Sequence, residues 1–203
     1  MSDPLLILAS PEVGDYLETR LRAYASDLRV EVVQTKAELR TASIQDCYQD
    51  AACPRLIAFC TNIVVPADVL RIFRGGSYNF HPGSPEYPGS NAASFAIYDG
   101  AISYGATAHK MDVTVDSGPI VGVEAFVVPA DVRFLDLEIM AFQHLLNLFN
   151  RLAPELVMTD LPLPTLPVRW GARKTTRQDF ERMKVLTEDM SEAEIRLRWR
   201  AFG

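Results

Sequence analysis

The sequence is short of the features that would place it outside ordinary globular chemistry. Its three cysteines, Cys47, Cys53 and Cys60, are odd in number and show no CxxC spacing. They give no disulfide framework and suit a reducing cytosol. The three histidines are equally scattered, so no zinc-ligand spacing emerges, and no metal is expected. No apolar run approaches the roughly 18–20 residues needed to cross a bilayer. The opening "MSDPLLILAS" has no basic region, and its apolar run, Leu5 to Leu8, has the length of a buried strand rather than a signal peptide. Glycine-rich signatures are missing too. "ASPEVGDYL", after the first strand, is not GxGxxG, which argues against a dinucleotide cradle. There is no GxxxxGK[ST] for a nucleotide phosphate and no GxSxG elbow for a serine nucleophile. "VDSGPIVG" has the Asp-Ser-Gly of an aspartic-protease loop, but those sites need two such aspartates in a β-rich frame.

What is present describes one α/β unit. At 203 residues with 48% hydrophobic and 23% charged content, the chain can bury a core unaided. Its net charge of −6 argues against a nucleic-acid coat. From Arg169 onward nine basic residues outnumber six acidic ones, so an acidic body carries a mildly basic tail. "PLLILA", "RVEVVQ", "RLIAFC" and "SYNFH" read as strands, with a helical stretch over Glu12 to Ser26 and a short helix over Pro66 to Phe73. That alternation predicts a parallel, doubly wound sheet. Farther on, "SNAASFAIYDG" reads as a helix capped by Ser90 and stopped at Gly100. "YGATAHKMDV" and "GPIVGVEAFVVP" read as strands, and the apolar stretch from Asp131 to Ala153 as a well-buried helix. Past Pro154 the composition turns polar: Pro162, Pro164 and Pro167 make an extended connector, and a last helix is expected from Ser191 to Trp199. We therefore expect a catalytic domain over 1–160 and a C-terminal extension over 161–203. The extension would pack on the core or, through Ile195, Leu197 and Trp199, on a second copy in a homodimer.

The stretch "YNFHPGSPEYPG" carries the chemistry. Residues two apart on a strand share a face. Asn79 and His81 therefore converge, with Phe80 turned the other way, where the strand ends in a Pro- and Gly-rich loop. An amide donor beside an imidazole suits a carbonyl becoming an oxyanion. A carboxylate would set the histidine's orientation and basicity, and Asp116 is the candidate. The plainer alternatives stand beside this: a lone histidine after a strand packs or is solvated, and an Asp before Ser-Gly forms turns. On spacing alone, His109 reads as a satisfied sheet histidine near the site and His144 as a helix residue without a partner.

The segment "YNFHPGSPEYPGSNAASFAIYDGAISYGATAHKMDVTVDSGPIVG", Tyr78 to Gly122, resembles the signature of the folate-dependent formyltransferases. Asn79-Phe80-His81-Pro82, the loop from Pro85 to Gly89, Gly100, Gly105-Ala106-Thr107-Ala108-His109 and Asp116-Ser117-Gly118-Pro119-Ile120 follow in the family's order. The resemblance is good from about Leu56 to Pro129, and closest in pattern to the sugar N-formyltransferase and methionyl-tRNA formyltransferase branch. It implies a Rossmann-like core, mostly parallel with helices on both faces, with 10-formyltetrahydrofolate as formyl donor. It places Asn79, His81 and Asp116 at the catalytic triad. It also implies that backbone groups of Ile63, Val64, Val65, Val113, Thr114 and Val115 grip the pterin. Gly83 departs from the serine of many relatives. The expected acceptor is a small-molecule amine, first an amino sugar on a nucleotide carrier, with a hydroxylamine or carrier-bound amino acid as alternatives. No nucleic-acid or membrane partner is expected. Arg169, Arg173, Lys174 and Arg177 could meet a phosphate. A formyltetrahydrofolate hydrolase and a silent folate-binding protein remain the competing readings.

Overall fold

The structure, a computed structural model, describes residues 3–203. Six strands form one sheet in the order β2-β1-β3-β4-β5-β6. The strands are β1 (Leu5–Leu8), β2 (Val30–Val33), β3 (Arg55–Phe59), β4 (Gly76–His81), β5 (Ser103–Lys110) and β6 (Ile120–Val127). The first four pair in parallel; β5 and β6 run antiparallel. β1 and β3 are buried along their whole length, as strands covered on both faces must be.

The chain reverses at β5. α5 (Ala92–Tyr98) lies between β4 and β5, after which β5 runs antiparallel to β4 and β6 pairs antiparallel with β5. The parallel arrangement expected from alternation holds for the first four strands and gives way at β5.

Helices cover both faces. α1 (Pro11–Arg22) and α6 (Phe134–Met158) pack on one, through a core that includes Leu17, Ile57, Phe80, Leu148 and Phe149. Phe80 lies against Phe59 and Phe149 with ring centroids 5.6 and 5.3 Å apart. α2 (Lys36–Ser43), α3 (Asp46–Gln49) and α4 (Ala67–Leu70) cover the other face through Leu39, Tyr48, Val65 and Val69. α2 begins with a capping box between Thr35 and Glu38, which satisfies two otherwise orphaned N–H groups. α6 differs from the uniformly buried helix expected of its sequence. One face is buried, while Leu135 and Ile139 stand 58% exposed, and the helix continues through Pro154.

After α6 the chain runs extended through its prolines into α7 (Arg177–Lys184) and α8 (Glu192–Phe202). α7 fully buries no residue; a Thr176–Asp179 capping box starts it, and half-buried Phe180 and Met183 rest on the core. α8 drives Ala201 and Phe202 into a third cluster with Phe95, Leu137 and Tyr104. Of the apolar residues expected to seat α8, Ile195 and Leu197 are half-buried and Trp199 is 58% exposed, its ring 4.2 Å from the Arg133 guanidinium. Ser90 does not cap α5. Asn91 holds that position in the left-handed region, φ 58°, because Ser90 is engaged by Thr175: its N–H donates to the Thr175 carbonyl and its own carbonyl accepts from the Thr175 hydroxyl.

Candidate active site

β4 and β5 build the site from one face. Antiparallel pairing sets Asn79 opposite His109 and His81 opposite Thr107. Residues opposite each other point the same way, so four polar side chains share a face while Tyr78, Phe80, Ala106 and Ala108 fill the core behind. The β5–β6 loop then delivers Asp116. This aspartate is 5% exposed and takes the left-handed backbone, φ 45°, a conformation that Asp and Asn tolerate better than other side chains. The Gly89 N–H donates to its Oδ2 at 2.8 Å, tying the β4–α5 loop to the β5–β6 loop.

Hydrogen bonding fixes the local states. His109 Nδ1 lies 3.0 Å from the Lys110 carbonyl, which can only accept, so Nδ1 carries the proton. Nε2 of the neutral ring is then an acceptor, and Asn79 Nδ2 donates to it at 3.1 Å. That assigns the Asn79 amide orientation and leaves its second N–H free. Asp116 Oδ1 is 3.4 Å from the same Nε2, with both side chains 3% exposed. On protonation, the pair becomes a buried ion pair.

His81 sits beside this cluster rather than within it. Burial lowers its pKa below the ordinary histidine value; the Asp116 charge opposes this, His109 adds to it, and a hydrogen bond to the Tyr87 backbone raises it again. Among the described residues its Nε2 is buried with no hydrogen-bond partner, and a Cβ at Gly83 would fall 2.3 Å from that atom. Gly83 is therefore the residue that lets this imidazole lie flat on the loop. The Gly83 carbonyl accepts from the Thr107 hydroxyl at 2.7 Å. Asp116 has the opposite tendency. Burial alone would raise its pKa, but the His109 contact, the His81 charge and the Gly89 N–H outweigh it and take the carboxyl from 3.8 to about 2. With His81 neutral and His109 Nε2 accepting from Asn79, the hydrogen bond from the Gly89 N–H is the one that holds Asp116 ionised.

The structure thus brings Asn79, His109 and Asp116 into direct contact, with His81 coupled to Asp116 through charge. The motif Thr107-Ala108-His109, two polar residues at strand spacing, was the signal for His109. Trp170 carried no such signal. Its ring meets His109 at 5.0 Å and His81 at 6.2 Å between centroids, both edge-to-face. His144 lies away from these residues, stacked on Phe126 at 4.4 Å.

The six residues expected to grip a pterin fall into two neighbouring loops. Ile63, Val65 and Met111 share the second core cluster, which sets the segment after β3 beside the start of the Asp116 loop. Val65 is committed to that core, whereas Val64, Val113 and Val115 are 54%, 65% and 46% exposed. Of the basic tail, Arg173 pairs with Asp99 at 3.6 Å and Lys174 Nζ donates to the Val115 carbonyl. Arg169 and Arg177 are exposed, with no side-chain partner among the described residues. No group of three or more His, Cys, Asp or Glu among the described residues could hold a metal ion.

A family model described as formyl transferase matches residues 16–138. A search of curated protein sequences gives no match. Solved structures of similar shape include Rv3404c of Mycobacterium tuberculosis, inferred to be a sugar N-formyltransferase, at TM-score 0.77 and 19% identity, covering 100% of this chain and 88% of that one. An N-formyltransferase from Helicobacter canadensis, in complex with folinic acid and dTDP-3-aminofucose, has TM-score 0.70 and 16% identity, covering 100% and 81%. The formyltransferase PseJ from Anoxybacillus kamchatkensis, in complex with tetrahydrofolate and a UDP-linked 4-formamido sugar, has TM-score 0.71 and 16% identity, covering 92% of each.

Proposed function

The chain belongs to the formyl transferase family, and from that premise we propose that it moves a formyl group from 10-formyltetrahydrofolate to the amine of a nucleotide-linked amino sugar. Residues 1–160 form the catalytic domain in this reading and 161–203 the extension. The observation that carries it is the shared polar face of Asn79, His81, Thr107 and His109, closed by the ionised Asp116. The folate assignment is supported by the exposed apolar side chains of Val64, Val113 and Val115, on two adjoining loops beside that face. The acceptor class is supported by relatives of the same shape whose complexes contain nucleotide-linked sugars. It is also supported by the unpaired cations Arg169 and Arg177 in the tail, a match in charge for a diphosphate.

The chemistry follows from the donors. The substrate nitrogen attacks the formyl carbon and the carbonyl oxygen becomes an oxyanion. The free N–H of Asn79 donates to that oxygen, while its other N–H stays on His109. The unpartnered Nε2 of neutral His81 accepts the proton shed by the attacking nitrogen. Asp116 stabilises the imidazolium that results, since its charge favours the protonated ring. Collapse of the intermediate breaks the bond to folate N10, which takes up a proton.

The test is tetrahydrofolate release from 10-formyltetrahydrofolate with pooled amines: nucleotide-linked amino sugars, amino acids, hydroxyornithine and glycinamide ribonucleotide. Release that requires the sugar pool and is lost in His81→Ala supports the reading. Formate released at full rate with no amine would make the protein a hydrolase, and release with another pool would move the acceptor class.

A further inference from the structure

The segment after the proline connector does more than link helices. Its Gly171 N–H donates to the Pro85 carbonyl at 2.8 Å and the Thr175 N–H to the Pro88 carbonyl at 3.0 Å. Thr175 forms a bridge with Gly89, the residue whose N–H holds Asp116. The approach is tight enough that a Cβ at Gly171 would fall 2.2 Å from the Glu86 carbonyl oxygen, and one at Gly89 2.1 Å from that of Thr175. The same segment reaches the other loop of the site. Trp170 Nε1 donates to the Gly118 carbonyl at 2.9 Å, and Lys174 Nζ to the Val115 carbonyl. Residues 169–176 therefore staple together the two loops that meet at Asp116. In doing so they set one indole against both imidazoles.

We propose that Trp170 is a positioning residue of the transfer site: anchored on Gly118, its indole roofs His81 and His109, holds the Asp116 loop in register and keeps bulk water from the reacting formyl group. The proposal rests on the transfer reading above. A formyl group over a general base that water can reach is open to a competing attack. Water adds to the formyl carbon, the bond to N10 breaks, N10 takes a proton, and formate leaves in place of the formylated amine. A roof over the imidazoles suppresses that branch. The ring and the N–H have separable jobs. Trp170→Phe keeps an aromatic edge over the imidazoles and loses the bond to Gly118, whereas Trp170→Ala loses both.

Two measurements test this. With one substitution, Trp199→Phe, Trp170 is the sole tryptophan and its emission reports on the roof without any substrate. A docked indole shifts to longer wavelength on unfolding in urea; an emission maximum identical in folded and unfolded protein would overturn the proposal. The second is the ratio of formate to formylated amine in single-turnover mixtures. Trp170→Ala should raise that ratio several-fold and lower kcat about 10- to 100-fold, the scale of an ångström-sized misplacement, with KM for the donor near wild type. Trp170→Phe should fall between the two, and it decides the matter if the alanine variant does not fold. A wild type that transfers, beside variants that partition the formyl group identically, overturns the roof alone. A wild type that transfers nothing overturns the functional reading, and the emission then decides whether the indole is docked.

Discussion

Replacing Asp116 by asparagine tests the electrostatics of the site with little disturbance to its shape. The two side chains are nearly isosteric, and asparagine tolerates the left-handed backbone that position 116 requires. The Gly89 N–H keeps an acceptor, so the loop should stay closed. What disappears is the charge, and its effect on stability has a sign that changes with pH. His81 is pushed below its ordinary 6.5 by burial, and Asp116 opposes that push. A histidine with a depressed folded-state pKa loses stability for the fold as pH falls below 6.5. Without Asp116 the depression deepens, so the variant loses more than wild type on acidification. Below 3.8 the direction reverses. Asp116 itself, with its pKa lowered to about 2, contributes stability that is full above 3.8 and lost toward 2. A shift of that size is worth about 2 kcal/mol at 1.36 kcal/mol per unit, and the 3% exposure of the side chain leaves little solvent to screen it. The stability gap between wild type and Asp116→Asn, read from urea midpoints, should widen from pH 6.5 to 4 and narrow from 4 to 2. Formyl transfer at pH 7 should fall about 100- to 10,000-fold, because the general base His81 loses the charge that stabilises its imidazolium. A gap that stays constant across this range, or a variant as active as wild type, would refute the reasoning.

Asn79→Ala removes the proposed oxyanion donor and the bond to His109; kcat should fall about 100- to 1,000-fold, with the donor's KM little changed. Gly83→Ala places a Cβ on His81 Nε2, so the ring must turn. Transfer should drop roughly 10- to 100-fold, while thermal melting stays near wild type and the His81 ring resonances shift in NMR spectra. Arg55 is 6% exposed and donates to the carbonyls of Gly75, Leu156 and Leu161, pinning the end of α6 to β3. Arg55→Leu leaves the Gly75 and Leu156 carbonyls buried without that donor and should cost about 3 kcal/mol in urea unfolding, while the folded fraction keeps its specific activity.

The legible parts of the fold were those written in local pattern. Continuous apolar runs mark β1 and β3, and alternation around Phe80 puts Asn79 and His81 on one face. The antiparallel pair β5–β6 was harder, because strand direction is set by pairing between segments far apart in the chain, which no single segment reveals. Long-range pairing was harder still. Ser90 has the chemistry of an N-cap, but Thr175, far along the chain, takes both of its backbone groups. α7 has an apolar face of just two residues, Phe180 and Met183, too few for periodicity to mark it, and is fixed by a capping box and by packing on Phe202 of α8.

At the site, the same limit appears as a question of partners. Residue types and order pointed to Asn79, His81 and Asp116, but they do not say which histidine a carboxylate touches. That is settled by register: pairing Asn79 with His109 puts the second imidazole between the amide and Asp116. We propose that the consequence is a division of labour between two histidines of opposite surroundings. His109 has both ring nitrogens engaged, one on a carbonyl and one facing the amide and carboxylate, and is fitted to hold geometry. His81 is buried, neutral and unpartnered at Nε2, and is fitted to take a proton and give it back. On that division, His109→Gln should retain weak transfer whose pH dependence follows His81, whereas His81→Gln should abolish the acid limb of the profile, the rise in rate with pH through the lowered His81 pKa. Equal pH profiles for the two variants would show that the imidazoles share one function.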